Sequence, residues 1–267
     1  MKIGFPGFAK YFNGTNWVAL RDYSSSDMVL QYNKDGSACM VKPIGYSYVN
    51  ENTEFYKYSG VNLSSVLCCD NNIIYMKDKC INSIKQCNIL NGFDGLIPVS
   101  FEYYTDSVYI VDSEIINLYV DLLLSDEPFS ANFLERVYSL SKEYRILLLN
   151  KLFDNGIICN SGHCNTCILT VENYEKFRVI YDLLSFSGEC VGFRKNTIEG
   201  KYNIIWMSRY EKVGKNYYTK YQSVISQNKN ITFVKEIYDR KYEIYVPSSM
   251  IVLKFGDKII VTGDAKR

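Results

Sequence analysis

The stretch Tyr242-Glu243-Ile244-Tyr245-Val246-Pro247-Ser248-Ser249-Met250-Ile251-Val252-Leu253-Lys254-Phe255-Gly256-Asp257-Lys258-Ile259-Ile260-Val261-Thr262 decides the fold. Tyr242 to Val246 alternates, Pro247-Ser248-Ser249 turns, and Met250 to Phe255 is extended. Gly256-Asp257 turns again and Lys258 to Thr262 returns as a strand. Short apolar runs bounded by turn residues also fill residues 1–90: Trp17 to Leu20, Met28 to Tyr32, Ala38 to Val41 and Ile73 to Met76. Asn33-Lys34-Asp35-Gly36 is a hairpin turn, since glycine takes a positive φ without a Cβ clash.

The middle of the chain has helical spacing instead. Ile115, Ile116, Tyr119, Leu122 and Leu123 recur from Ser113 onward, with Pro128 closing the run. After Ser141, Tyr144, Leu147, Leu148 and Leu152 share a helical face that ends at Asp154-Asn155-Gly156. Ile157 to Thr170 reads as a hairpin around Asn160-Ser161-Gly162. Thr170 is expected to cap a third helix, with Phe177, Ile180, Tyr181 and Leu184 inward and Gly188 at its end. The fold class is therefore α+β. An all-β domain built from both chain ends, residues 1–95 and 232–267, is interrupted by an α/β insertion over 96–231.

With 267 residues, 47% apolar and 22% charged, the chain has ample core for a globular protein. Thirty Lys and Arg against 29 Asp and Glu exclude a general polycation. Locally the charge is uneven. Residues 101–130 hold Glu102, Asp106, Asp112, Glu114, Asp121, Asp126 and Glu127 with no Lys or Arg. Residues 201–230 hold Lys201, Arg209, Lys212, Lys215, Lys220 and Lys229 against Glu211 alone. Nine scattered cysteines, Cys68 and Cys69 adjacent, form no disulfide framework. With no signal peptide and no apolar run of membrane length, the expected setting is cytoplasm with reduced thiols, in a host cell or a virion. Tyr-rich and Phe-rich usage suits an AT-rich, often viral, genome.

The β–insert–β order leads to a family. Asn13 to Leu20 followed by Asp27 to Gly36 resembles the opening of phage-type intein (Hint) domains. Glu243 to Pro247 followed by Gly256 to Asp264 resembles their closing strands. Leu140 to Gly156 and then Thr170 to Gly188 is similar to the second half of a LAGLIDADG homing endonuclease. The resemblance implies a Hint-like β domain carrying a LAGLIDADG-like insertion.

Splicing in such a family needs a Cys, Ser or Thr nucleophile at the first position, a His in an inner strand, and a terminal Asn before a second nucleophile. The chain reads Met1-Lys2-Ile3-Gly4-Phe5-Pro6 at the first station. Asn71 or Asn72, within Leu67 to Ile73, stands at the second, and Asp264-Ala265 at the third. The expectation is a chain that neither splices nor cleaves at its ends.

The nuclease resemblance implies two acids at helix ends, holding Mg if activity survives. Asp126 matches the first and Asp154, or Asn155 after a one-residue shift, the second. The residues between Asp126 and Asp154 are too few for a complete repeat of helices and hairpins, so the first repeat reads as truncated and the acids as vestigial. Ordinary helix-end and turn chemistry is the plainer account of both. Cys159, His163, Cys164 and Cys167 are the zinc-like cluster, Cys164 and Cys167 having a two-residue spacer. Adjacent His163 and Cys164, and the lack of a second such pair, weigh against zinc, so no resident cofactor is expected.

Basic and aromatic residues interleave in 201–230. Arg209, Lys212, Lys215 and Lys220 suit phosphate contact, while Tyr217 and Tyr218 suit stacking. A solvated loop with partly buried tyrosines competes with that reading. The function expected is a catalytically degenerate intein and homing-endonuclease-like protein of phage or viral origin, retained for binding double-stranded DNA or a protein, with no membrane partner. An active LAGLIDADG-type endonuclease and a viral structural or assembly protein reusing the scaffold are the rivals.

Overall fold

The computed structural model describes residues 4–59, 66–68, 72–76, 84–88, 94–98, 100–105, 111–154, 156–161, 164–189, 191–196, 198–208, 221–225 and 232–263. The architecture is mixed α+β. In chain order the elements are β1 (Lys10–Phe12), β2 (Trp17–Ala19), β3 (Val29–Tyr32), β4 (Ser37–Val41), β5 (Gly45–Ser59), β6 (Val66–Cys68), β7 (Asn72–Met76), β8 (Ile84–Asn88), β9 (Asp94–Pro98) and β10 (Glu102–Tyr104). Then come α1 (Ser113–Leu124), α2 (Ala131–Tyr138), α3 (Lys142–Phe153), β11 (Ile157–Ser161), β12 (Cys164–Val171), α4 (Tyr174–Phe186), β13 (Val191–Asn196) and β14 (Lys201–Ser208). The chain continues with β15 (Tyr221–Ile225), β16 (Thr232–Tyr245), β17 (Met250–Phe255) and β18 (Lys258–Gly263). Among the described residues no helix is long and apolar enough to cross a membrane.

The chain divides into two compact units, Met1–Val99 with Tyr221–Arg267, and Ser100–Lys220. In the first unit the two chain ends share one sheet. β17 pairs antiparallel with β1, with β18 and, at Ile251 against Gln31, with β3; β2 and β4 extend the sheet beyond β1 and β3. Strand neighbours surround β17, and all six of its residues are buried. The core draws on both ends: Phe5, Tyr11, Val29 and Phe55 pack with Ile244 and Leu253. The turn before β4 forms as its residues dictate. Gly36 has φ 88°, and the Asp35 carboxylate accepts from the Ser37 N–H at 2.9 Å.

One feature departs from the sequence expectation for this unit. The reading of residues 1–90 as short strands misses β5, 15 residues long, which pairs along nearly its whole length with the 14-residue β16. Their alternation is interrupted by a register shift at Tyr238/Arg240, so neither strand presents a clean period of two. The strands β15-β9-β7-β8 form a further sheet.

In the second unit, α4 is buried from Lys176 through Phe186 except at half-buried Arg178. Its Phe177 ring stacks on Tyr202 of β14 at 4.6 Å and meets Phe193 of β13 at 4.9 Å. The sheet beneath it runs β11-β12-β14-β13, antiparallel throughout. Gly188, φ 72°, ends α4 as its sequence predicts. The expected cap does not hold. Thr170 lies inside β12, paired with Asn203, and the residue that caps α4 is Asn173, whose side chain accepts from the Glu175 and Lys176 N–H groups. The strand ladder runs one residue beyond Thr170, to Val171 opposite Tyr202, so Thr170 never reaches the helix start. Helix α2, capped by Ser130, was not foreseen, because Pro128 reads as the end of helical structure rather than as a link.

Candidate nucleic-acid interface

Period-two alternation gives the β11-β12-β14-β13 sheet two unlike faces. Leu169, Val171, Tyr202, Ile204 and Trp206 are buried on the side that α4 covers. Trp206 also packs edge-on to Phe153 of α3 at 5.2 Å and donates to Glu189 at 3.0 Å. The opposite side is open and mixed, with half-buried Ile168 and Ile205 in register beside a polar row. Thr170, Asn203 and Arg194 sit in register across β12, β14 and β13. The Thr170 hydroxyl donates to the Asn203 carbonyl oxygen at 2.8 Å, which occupies that amide's acceptor and leaves its N–H donors for a ligand. Thr170 and Arg194 are exposed, and Arg194 has no ion-pair partner among the described residues. Beside this row, a Cβ built at Gly192 would meet nothing within 4 Å, so the surface there is free of covering structure.

Lys201 lies at the start of β14, 3.0 Å from Glu172, and its hydrogen bond to that carboxylate holds the ammonium above its usual pKa. Both groups are solvated, so the pair is screened and weak. Lys195 is the register partner of Tyr202, so it belongs to the α4 face, at the sheet edge, with its ammonium 5.3 Å from the Tyr202 ring centre. The open face presents amide, hydroxyl and guanidinium donors, with the Lys201 ammonium at its border, on a strand framework. That inventory suits phosphate oxygens and base edges in a groove.

Arg209, Lys212, Lys215, Tyr217, Tyr218 and Lys220 lie outside the described residues, which resume at β15; β14 ends at Ser208, immediately before them. Asp126 is exposed just beyond α1, and Asp154 is exposed at the end of α3. The side chains that α1 and α3 bury are large, Tyr119 and Leu123 on one and Leu148, Leu149 and Leu152 on the other. A polar tie joins the two helices, the Lys151 ammonium donating to Asn117 at 2.6 Å. It sits in the last turn of α3 but the N-terminal half of α1, whereas Asp126 follows the opposite end of α1. Only α2 separates these helices.

Of the zinc-like residues, His163 lies outside the described residues, and Cys159 and Cys164 fall in β11 and β12. Cys167 is half-buried, and its thiol donates to the Phe153 carbonyl at 3.3 Å. Among the described residues no three His, Cys, Asp or Glu side chains gather as a metal site. Met1, Asn71, Asp264 and Ala265 lie outside the described residues, and Asn72 opens β7.

The row Thr170–Asn203–Arg194 escapes a sequence reading that puts Thr170 at a helix cap and 191–208 in no strand. A signal was present: Tyr202, Ile204 and Trp206 alternate with Lys201, Asn203 and Ile205. No family model matches the chain, and neither does any curated protein. Among solved structures it is similar to a splice-inactive variant of the AceL NrdHF class 3 split intein, with a TM-score of 0.45, 9% sequence identity and 100% of each chain covered.

Proposed function

We propose that this chain is a catalytically degenerate, splicing-inactive protein of intein and homing-endonuclease type whose retained role is binding double-stranded DNA. The observation that carries the proposal is the open cross-strand row Thr170–Asn203–Arg194, flanked by Lys201, on the sheet face opposite α4. The basic stretch 209–220 follows β14 directly in the sequence and extends the same chemistry. Two further features support it. The order α3, hairpin, α4, hairpin is like the helix and hairpin order of the LAGLIDADG repeat that the sequence resembles, while α1 is followed by α2 and α3 with no hairpin between. Asn at 71 and 72, where a splicing domain needs a proton-shuttling His, favours loss of splicing chemistry.

Fluorescence anisotropy of a labelled duplex at low salt tests this. Binding is expected in the micromolar range, with log K falling against log salt by roughly 0.9 for each phosphate neutralised. Arg194→Glu with Lys201→Glu, and separately Lys212→Glu with Lys215→Glu and Lys220→Glu, should each weaken it. Absence of binding at tens of micromolar protein, on the scale of non-specific complexes, overturns the DNA reading. Mg-dependent cutting of a plasmid overturns the degenerate reading and restores the active endonuclease.

A further inference from the structure

A second surface on the α/β unit has the opposite chemistry. Helix α1 buries Ile116, Tyr119, Val120 and Leu123 on one side. Its other side exposes Ile115 at 36% and Leu118 at 55%, with Leu122 half-buried. These three stand at i, i+3 and i+7, one continuous apolar ridge on the solvent face. Glu114 and Asp121, both exposed, run beside that ridge at i and i+7 with Leu118 between them.

The acids at the C-terminal end of this helix oppose its dipole, whereas the Asp112 cap and Glu114 in the first turn suit it. Asp121, Asp126 and Glu127 crowd its C-terminal end, which already carries partial negative charge, and the last turn holds no basic residue. None of these three, nor Glu114, forms an ion pair with any described residue. Residues 101–130 supply no Lys or Arg at all. Apolar exposure beside acids that form no ion pair among the described residues, with the Lys151 ammonium on Asn117 as a neighbouring cation, is a surface whose complement is cationic and apolar together.

We infer that the solvent face of α1 docks a cationic amphipathic protein segment, its apolar stripe lying over Ile115, Leu118 and Leu122 and its Lys or Arg side chains reaching Glu114 and Asp121. Two turns of helix, roughly 10 Å, separate those acids, so a partner helix with basic residues about seven apart matches them. Nucleic acid and anionic membrane are repelled by the same charges. A second copy docked symmetrically through α1 sets acid against acid, because a two-fold interface places the same patch on both sides.

The test uses the full chain and a labelled helix-forming peptide of about 18 residues, leucine and lysine only, with leucines on one face. A scrambled peptide of identical composition and a charge-reversed peptide with Glu for Lys accompany it. The amphipathic peptide should bind, with the scrambled one about tenfold weaker or more, a difference of one decade in Kd. Leu118→Ser should weaken binding similarly. Glu114→Lys with Asp121→Lys should abolish it and acquire affinity for the charge-reversed peptide, a gain that misfolding cannot produce. Equal binding of the scrambled peptide, unchanged affinity of Leu118→Ser, or no charge-reversed gain overturns the inference. So does a concentration-dependent dimer, seen by light scattering, that Leu118→Ser dissolves, since the occupant would then be a second copy.

Discussion

The two units bury charge in different ways. In the β unit, Glu243 is buried and pairs with Lys241 at 3.2 Å, while the Tyr245 and Ser47 hydroxyls donate to it at 2.8 and 3.2 Å. In the α/β unit, Arg145 is fully buried and forms no ion pair among the described residues, though the Glu143 charge acts on it. Its guanidinium donates only to backbone carbonyls: Leu140 at 2.9 Å, Tyr103 at 2.5 Å and Phe186 at 3.3 Å. It also lies 5.4 Å from the Tyr103 ring centre, and burial pushes its pKa down to about 10. The first arrangement neutralises a charge with a charge. The second uses one cation as a common donor to three segments, β10, the α2–α3 link and the C-terminal end of α4, where the helix dipole favours it. An arginine used this way is harder to replace, because its planar fork sets three bond directions at once.

Arg145→Ala should therefore be the most damaging single change, costing about 3–5 kcal/mol, since it removes a donor from three buried carbonyls and leaves a cavity. The chain's two tryptophans divide between the units, Trp17 in the first and Trp206 in the second, so each can be followed alone. Urea unfolding monitored through Trp206 in a Trp17→Phe background reads the loss. Arg145→Lys should recover only a minor part. A cost below about 1 kcal/mol for the alanine variant would break the contrast between the units.

The charge pair of the β unit should matter less and depend on pH. Glu243→Ala is expected to cost about 2–3 kcal/mol, less than a fully buried pair because Lys241 keeps some water. Burial raises the Glu243 pKa, but the Tyr245 hydrogen bond, the Lys241 hydrogen bond and charge, and the Ser47 hydrogen bond outweigh it and hold the carboxyl below its ordinary value of 4.5. A depressed folded pKa means its contribution is complete above pH 4.5 and is lost as pH falls through the folded value. Melting followed through Trp17 in a Trp206→Phe background should show that acid slope, and Glu243→Gln should flatten it.

Gly156 sharpens the picture of the α/β unit. A Cβ there would lie 2.9 Å from the Cys167 sulfur, 2.9 Å from the Ile168 oxygen and 3.0 Å from the Phe153 oxygen. Two of these are backbone atoms that cannot swing aside, so Gly156→Ala should cost about 1–3 kcal/mol by the same Trp206 measurement. The smallest effects should come from Asp126→Asn and Asp154→Asn, exposed at the ends of their helices. Each should change stability by less than about 0.5 kcal/mol and leave DNA affinity unreduced.

Features resting on neighbouring residues were legible in the sequence. The turns at Gly36 and Gly256, the hairpin from Ile157, the inward face of α4 at Phe177, Ile180, Tyr181 and Leu184, and the β character of both chain ends follow from periodicity and turn chemistry within a few residues. The tertiary structure decided which strands meet: β17 between β1, β3 and β18, and β5 along β16. Those pairings join residues far apart in the chain, and no local pattern encodes their register. It also decided that Thr170 belongs to a strand row with Asn203 and Arg194 rather than to a helix cap, since a threonine suits both roles and the partner strand settles the matter. Arg145, whose charge argues for the surface in any local reading, is interior because distant backbone carbonyls converge on it.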